Sequence, residues 1–224
     1  MILIGIAGAK QSGKSTVAEI INELTQEVFI TAFAEPLKVE VFDVIQGALP
    51  APRWITQMIP ESFRGSLAGS GEVAYWRKID WINQRKVELR KLLQAYGTEY
   101  RRGQDECYWI KKMAQLLESF RVDSDRLQMQ SITAITDVRF DNEANLVLDQ
   151  GGHLIRVNRG QPSDDTHASE RRLHLPDAVE IDNNGSMDDL RLAVRAYLIG
   201  LGVEVRWDQE HATKLVAEFN KEAQ

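Results

Sequence analysis

Gly8-Ala-Lys-Gln-Ser-Gly13-Lys14-Ser15 is the stretch on which the fold turns. It fits G-x-x-x-x-G-K-[ST]. The residues before it, Ile2 to Ala7, form a short apolar run that predicts a buried strand. Beyond it, Val17, Ile20, Ile21 and Leu24 recur at helical spacing. Strand, glycine-rich loop and helix together make a phosphate cradle. Gly8 and Gly13 permit backbone angles and a closeness of approach that a side chain would block. Successive backbone N–H groups through Ala9, Lys10, Gln11, Ser12 and on to Thr16 then point at phosphate oxygens, helped by the helix N-terminus. Lys14 reaches the β- and γ-phosphates as a point charge, and Ser15 offers a hydroxyl to Mg²⁺. The motif predicts binding of a nucleoside triphosphate with Mg²⁺. It does not define a reaction.

Composition bounds the rest. The chain has 224 residues, of which 43% are hydrophobic and 27% charged. That is the profile of a soluble α/β domain with a sizeable core and room for an insertion. The net charge of −6 argues against a nucleic-acid polymer as partner, because such binders carry a basic excess or stripe. A single nucleotide, held by a few local cations, is compatible with it. One cysteine, Cys107, leaves no internal disulfide and suits a reduced, cytoplasmic setting. Between Glu106 and Tyr108 it reads as a small packing residue, not a nucleophile. No apolar run is long enough to span a membrane. The apolar start carries the glycine loop and lacks a basic leader, so a signal peptide is not expected.

Along the chain, Val28 to Phe33 predicts a second strand running into a helix whose first turn suits Pro36. Val41, Phe42, Val44 and Ile45 would be that helix's buried face. Residues 47–72 hold Pro50, Pro52, Pro60 and several glycines, a loop-rich insertion with one short helix. Arg53 and Arg64 within it suit solvated surface better than substrate contact. A long helix is expected from Trp81 to Tyr96, stopped by Gly97-Thr98, with Val87, Leu89, Leu92 and Leu93 turned inward. On it Arg90 and Gln94 share one face. A further helix from Glu106 to Phe120 carries Trp109, either a core residue or a wall for a flat base. Ser131 to Asp137 predicts a third strand ending in a carboxylate at the edge where parallel sheets gather ligands. His153 to Asn158 and Ala178 to Asp182 predict the fourth and fifth strands. Ser186 would cap a helix from Met187 to Gly200, with Leu190, Val194 and Leu198 as its inner stripe. Residues 159–175 have no clear period and suggest a lid, and 203–224 suggest a C-terminal surface helix. The expected architecture is a single domain over 1–224: a five-stranded parallel sheet with helices on both faces, with a helical insertion at about 35–125.

An ordered set of stretches then narrows the class. Leu89-Arg-Lys-Leu-Leu-Gln-Ala-Tyr-Gly-Thr-Glu99, Tyr108-Trp109 and Thr136-Asp-Val-Arg-Phe-Asp-Asn-Glu143 follow one another, as do Arg159 to Glu170 and Asp182-Asn-Asn-Gly-Ser186. Over roughly residues 1–200 the chain resembles the deoxynucleoside monophosphate kinases of tailed bacteriophages, which have the P-loop nucleoside monophosphate kinase fold. The resemblance implies transfer of the γ-phosphoryl of ATP to a deoxynucleoside 5′-monophosphate, with Mg²⁺, in the host cytoplasm. It implies that Arg90, Gln94, Gly97, Thr98 and Trp109 bind the monophosphate. Asp137, Arg139 and Glu143 would flank the reacting phosphates, with Asp137 joining Ser15 on the metal. Arg159 would open the lid, and Asn183-Asn184 would form a turn beside the ATP base. A homodimer is one use for the C-terminal helix; docking on its own domain is the other.

The chemistry of these residue types agrees. Phosphoryl transfer needs positioning and positive charge, which Lys14, Arg139 and Arg159 can supply, while Arg90 suits a monophosphate bidentately. Two rivals stand beside this expectation. One is another small-metabolite kinase, such as a dephospho-coenzyme A kinase, against which the Gly97-Thr-Glu99 and Asp137-Val-Arg139 stretches weigh. The other is a non-catalytic nucleotide binder, which would not need Arg90, Gln94 and Trp109 around a second cavity.

Overall fold

Five strands, all parallel, form one sheet in the order β2-β3-β1-β4-β5. They are β1 (Ile2–Gly8), β2 (Val28–Thr31), β3 (Ile132–Val138), β4 (His153–Asn158) and β5 (Val179–Asp182). The computed structural model describes residues 1–64, 73–128, 130–160, 175 and 177–206. Within these, the predicted parallel sheet is present, with helices on both faces. The lid at 159–175, apart from Arg159, Gly160 and Leu175, and the C-terminal helix beyond Arg206 lie outside the described residues.

The alternation of β1 explains the two layers. Ile4 and Ile6 face α1 (Lys14–Leu24) and α8 (Met187–Gly200), with Val17, Ile21, Leu190, Val194 and Leu198 buried against them. Leu3 and Ala7 face the other way, toward α6 (Tyr108–Leu127) and α7 (Asp141–Asp149), where Met113, Leu117, Ala144 and Val147 close the second layer. Successive strand residues point to opposite faces, so a fully buried strand must be apolar throughout, as β1 is. α8 has the predicted bounds. Ser186 caps it, its hydroxyl accepting from the Asp189 amide at 3.2 Å while the Asp189 carboxylate accepts from the Ser186 amide at 2.7 Å.

A third core belongs to the insertion. It joins α2 (Ala34–Ile45), α3 (Arg53–Thr56), α4 (Tyr75–Gln84) and α5 (Arg90–Gln94) through Val41, Phe42, Ile55, Ile82, Leu89 and Leu92. Here one expectation is corrected. The single helix predicted over 81–96 is two, with the chain turning at residues 85–89, where Val87 is 90% exposed. Gly97-Thr98 does not end the second one. α5 passes into a π-helical segment, Ala95–Arg102. Gly97 instead serves close approach, since a Cβ there would lie 3.0 Å from Leu37 Cδ2 on α2. A second correction concerns α6, which runs past Phe120 to Leu127 and ends on Gln128 at φ 52.

The insertion is braced by a buried carboxylate. Glu40 of α2 accepts from Tyr108 Oη at 2.6 Å, Tyr96 Oη at 2.9 Å and Arg101 Nε at 3.1 Å, with Lys112 Nζ at 3.0 Å. Burial pushes its carboxyl up, but the donors from Tyr108, Lys112 and Tyr96 and the Arg101 charge outweigh it and hold it below its ordinary range. One carboxylate therefore ties α2, the π-helical segment and α6 together.

Candidate active site

β1 ends at Gly8, and the loop that follows is shaped by two glycines. Gly8 has φ 148 and Gly13 has φ 100. A Cβ at Gly8 would stand 2.5 Å from the Val157 carbonyl oxygen, and one at Gly13 would strike the Asn183 amide. The loop is thus folded against the end of β4 and the turn after β5. Asn183 Nδ2 donates to the Ser12 carbonyl at 2.8 Å, so this side chain props the loop. Asn184 Oδ1 accepts from the Gly160 amide at 2.6 Å, tying the turn to the residue after Arg159. Lys14 Nζ donates to the carbonyls of Gly8 at 2.9 Å and Ala9 at 2.6 Å, arching over the loop.

The loop suits phosphate for a reason visible in its own atoms. Gly13 caps α1 in a left-handed conformation, no side chain caps that end, and the first turn carries no acidic residue. The first N–H groups of a helix have no partner within it. The Ser12 hydroxyl is buried with no hydrogen-bond partner among the described residues. Donors without acceptors, at the positive end of a helix, favour an anion. Ser15 is exposed on the first turn of α1 and Thr16 is half-buried beside it.

β3 lies next to β1, so its end enters the same space. The register passes from Gly5↔Ile135 to Ala7↔Val138, which puts Thr136 and Asp137 opposite Ile6 alone. This is a β-bulge, and bulges re-aim side chains at strand ends. Asp137 is turned toward the start of α2, where Oδ1 accepts from the Phe33 amide at 2.6 Å and Oδ2 from Ala34 at 3.2 Å. Burial pushes its carboxyl up, against the pull of those amides, Arg139 and Lys38. Each oxygen keeps a second lone pair, so the tie leaves capacity for a cation.

Glu143 is the other buried carboxylate. It caps α7 from inside, Oε2 accepting from the amides of Arg139 at 2.8 Å and Phe140 at 3.2 Å. Oε1 pairs with Arg102 Nη2 at 3.3 Å, across from the π-helical segment. Burial raises its pKa from 4.5 to about 7, with the Asp137 charge adding to the rise. Arg139 and Arg159 are exposed just past the ends of β3 and β4.

The monophosphate candidates separate into two groups. Arg90, Gln94 and Thr98 are exposed at successive turns of α5 and its π-helical continuation. Gly97 and Trp109 are buried beneath them. Trp109 is 4% exposed and its Nε1 donates to the Gly97 carbonyl at 3.0 Å. Of the two sequence readings of Trp109, the structure has the core one. Cys107, read as a packing residue, is exposed. It stands at the N-cap of α6, before the helix dips into the core. Arg53 and Arg64 are exposed at the far end of α2, on the rim of a cleft of about 560 Å³ floored by Val44, Ile45 and Ile59. Two charged residues that the sequence did not single out face the site. Glu35 and Lys38, on the first turns of α2, lie within electrostatic range of Asp137. Their signal was the Ala34-Glu-Pro-Leu-Lys38 stretch itself, since a helix that starts at a strand's carboxyl end presents its first turns to the ligand edge.

A five-stranded parallel sheet whose first strand feeds a glycine loop with Lys14 and Ser15 is a P-loop kinase fold. The chain belongs to the deoxynucleotide monophosphate kinase family, whose model matches residues 57–194. It is 33% identical over 192 residues to a putative deoxynucleotide monophosphate kinase of Acanthamoeba polyphaga mimivirus, covering 81% of this chain and 86% of that protein. It is also 33% identical over 124 residues to the deoxynucleotide monophosphate kinase of Enterobacteria phage T4, covering 53% of this chain and 49% of the phage protein. Among solved structures it is similar to a dephospho-CoA kinase from Campylobacter jejuni, at 20% identity and a TM-score of 0.45 over 89% of this chain and 96% of the other. The protein is thus an enzyme, a kinase of that family.

Proposed function

We propose that the protein transfers the γ-phosphoryl of ATP to a deoxynucleoside 5′-monophosphate, giving the diphosphate and ADP. The observation that carries this is the adjacency of β1 and β3, which brings the glycine loop and the Asp137–Arg139 segment to one sheet edge. The family's mimivirus and phage relatives bear the name of this activity.

The Gly8–Thr16 loop would hold the ATP phosphates on its backbone donors and the Ser12 hydroxyl. Lys14 would exchange its two carbonyl partners for β- and γ-phosphate oxygens. Among the described residues no cluster of three His, Cys, Asp or Glu could hold a metal ion. Mg²⁺ needs no such cluster, since it takes most of its ligands from phosphates and water. Ser15 and Asp137 would hold it, and it would neutralise charge on the transferring group. Arg139 and Arg159 would place positive charge at the equatorial oxygens. Glu143, by fixing the Arg139 and Phe140 amides, would set where Arg139 stands. Arg90, Gln94 and Thr98 would bind the acceptor, with Trp109 holding the Gly97 carbonyl beneath them. No side chain is required as a strong base, because the attacking phosphate oxygen is already ionised. Asn183 and Asn184 would brace the ATP end of the cradle.

The test is ADP release with ATP, Mg²⁺ and each deoxy- and ribonucleoside monophosphate in turn, with dephospho-coenzyme A as the competing acceptor. Release that depends on a deoxynucleoside monophosphate is expected. Release with dephospho-coenzyme A alone would replace the proposal with the rival kinase.

A further inference from the structure

Lys38 is a half-buried cation that makes no hydrogen bond or ion pair among the described residues. It stands four residues after Ala34 on α2, so the two share a face. Helical side chains lean toward the N-terminus. Lys38 is thereby directed back to the end of α2 where the Phe33 and Ala34 amides hold Asp137. Its obvious helical partner is engaged elsewhere, since Glu35 Oε2 accepts from Thr31 Oγ1 at 2.7 Å. Burial pushes the Lys38 ammonium down from its ordinary range, against the pull of Glu35, while Lys86 pushes it down and Asp137 pulls it up.

Lys86 places the second boundary. It lies in the turn between α4 and α5, four residues before Arg90, and like Arg90 it is exposed. Lys38 therefore stands between two regions: the Asp137 end of β3, and the Lys86–Arg90 approach to the exposed face of α5. Burying a charge without a partner costs folding free energy. Like charge nearby adds to that cost. An anion arriving between them would offset both at once, and an ammonium has three donors free to turn toward it.

We propose that Lys38 is a substrate-binding residue of the acceptor side, donating to a non-bridging oxygen of the monophosphate and holding it between Arg90 and the reacting end of β3. This rests on the function proposed above. An ammonium on a flexible stem suits a phosphate that must approach its partner group, where a fixed guanidinium fork would hold it in one place.

The experiment uses the full chain with Lys38→Met, which keeps the apolar stem, and Lys38→Arg. Calorimetric titration with a deoxynucleoside monophosphate and, separately, with a non-hydrolysable ATP analogue reads the two sites. Lys38→Met should weaken the monophosphate tenfold or more and the ATP analogue less than twofold. Lys38→Arg should recover part of the loss. The free Lys38→Met protein should melt at or above the wild-type temperature, because a cation without a partner has been removed. Unchanged monophosphate affinity, equal loss for both ligands, or a markedly lower melting temperature would overturn the proposal. Wild-type ADP release is measured alongside. If the wild type accepts no deoxynucleoside monophosphate, the proposed function fails. If it does, and Lys38→Met binds the monophosphate normally, only the role of Lys38 fails.

Discussion

Glu143 shows how much one side chain can connect. It holds two amides of the Arg139 segment and a guanidinium from the π-helical segment, while buried enough to titrate at about 7. A raised carboxyl pKa means that the folded state binds a proton which the unfolded state releases at about 4.5. The stability this contributes is present below about 4.5 and is lost as pH rises through about 7. Melting temperature should therefore fall between pH 5 and pH 8, and Glu143→Gln should flatten that slope. A slope unchanged in the variant would remove Glu143 as its source. Lys14 and Arg90 make the other predictions at this scale. Lys14→Ala removes two hydrogen bonds to loop carbonyls, so melting should drop by only a few degrees. Turnover should fall roughly a hundredfold or more, as when a charge-stabilising group is deleted. Arg90→Ala touches no printed structural partner, and hydrogen bonds to charged groups contribute about 1.5–3 kcal/mol. Steady-state kinetics should show the monophosphate Michaelis constant rising about tenfold with that of ATP nearly unchanged.

At the scale of elements, the π-helical segment Ala95–Arg102 is where sequence and structure part most. Its sequence looks like a helix ending in Gly-Thr. What keeps it helical is tertiary: Tyr96 and Arg101 reach Glu40 on α2, and Trp109 on α6 takes the Gly97 carbonyl. A π-helical turn widens the backbone and recurs at functional sites. Neither partner is near it in the sequence, so no local pattern signals it. The β3 bulge at Thr136–Asp137 is the same kind of feature, visible only once β1 is laid beside it. By contrast, α8 was legible to its ends, because Ser186, Asp189 and the Leu190, Val194, Leu198 stripe are all local. Glu40 gives this scale its prediction. Glu40→Ala would leave Tyr96, Tyr108, Arg101 and Lys112 around a missing carboxylate. Breaking a buried pair in this way costs about 3–5 kcal/mol. Chemical denaturation should show a loss of that size, and a change under 1 kcal/mol would mean the brace is ornamental.

For the molecule as a whole, the glycine loop and the apolar strands made the sheet legible, and with it the edge where the site lies. What the sequence left out was depth. Trp109 and Arg90 are near one another in sequence and in the site, yet one is 4% exposed and the other faces solvent. Side-chain burial depends on which helix lands on which, and the insertion's three-way packing of α2, α5 and α6 decides that. The same packing brings Lys38 and Glu35 toward Asp137 from the first turns of a helix whose sequence reads as ordinary. The whole arrangement has two sides, a cradle at β1 and a cationic approach at α5, meeting past the ends of β1 and β3. Its central claim is direct transfer from one to the other. Incubation with ATP labelled in the γ-phosphate and a deoxynucleoside monophosphate, followed by separation of the products, measures that transfer. The label should appear in the deoxynucleoside diphosphate in step with ADP. Label recovered only as inorganic phosphate, at a rate indifferent to the monophosphate, would contradict it.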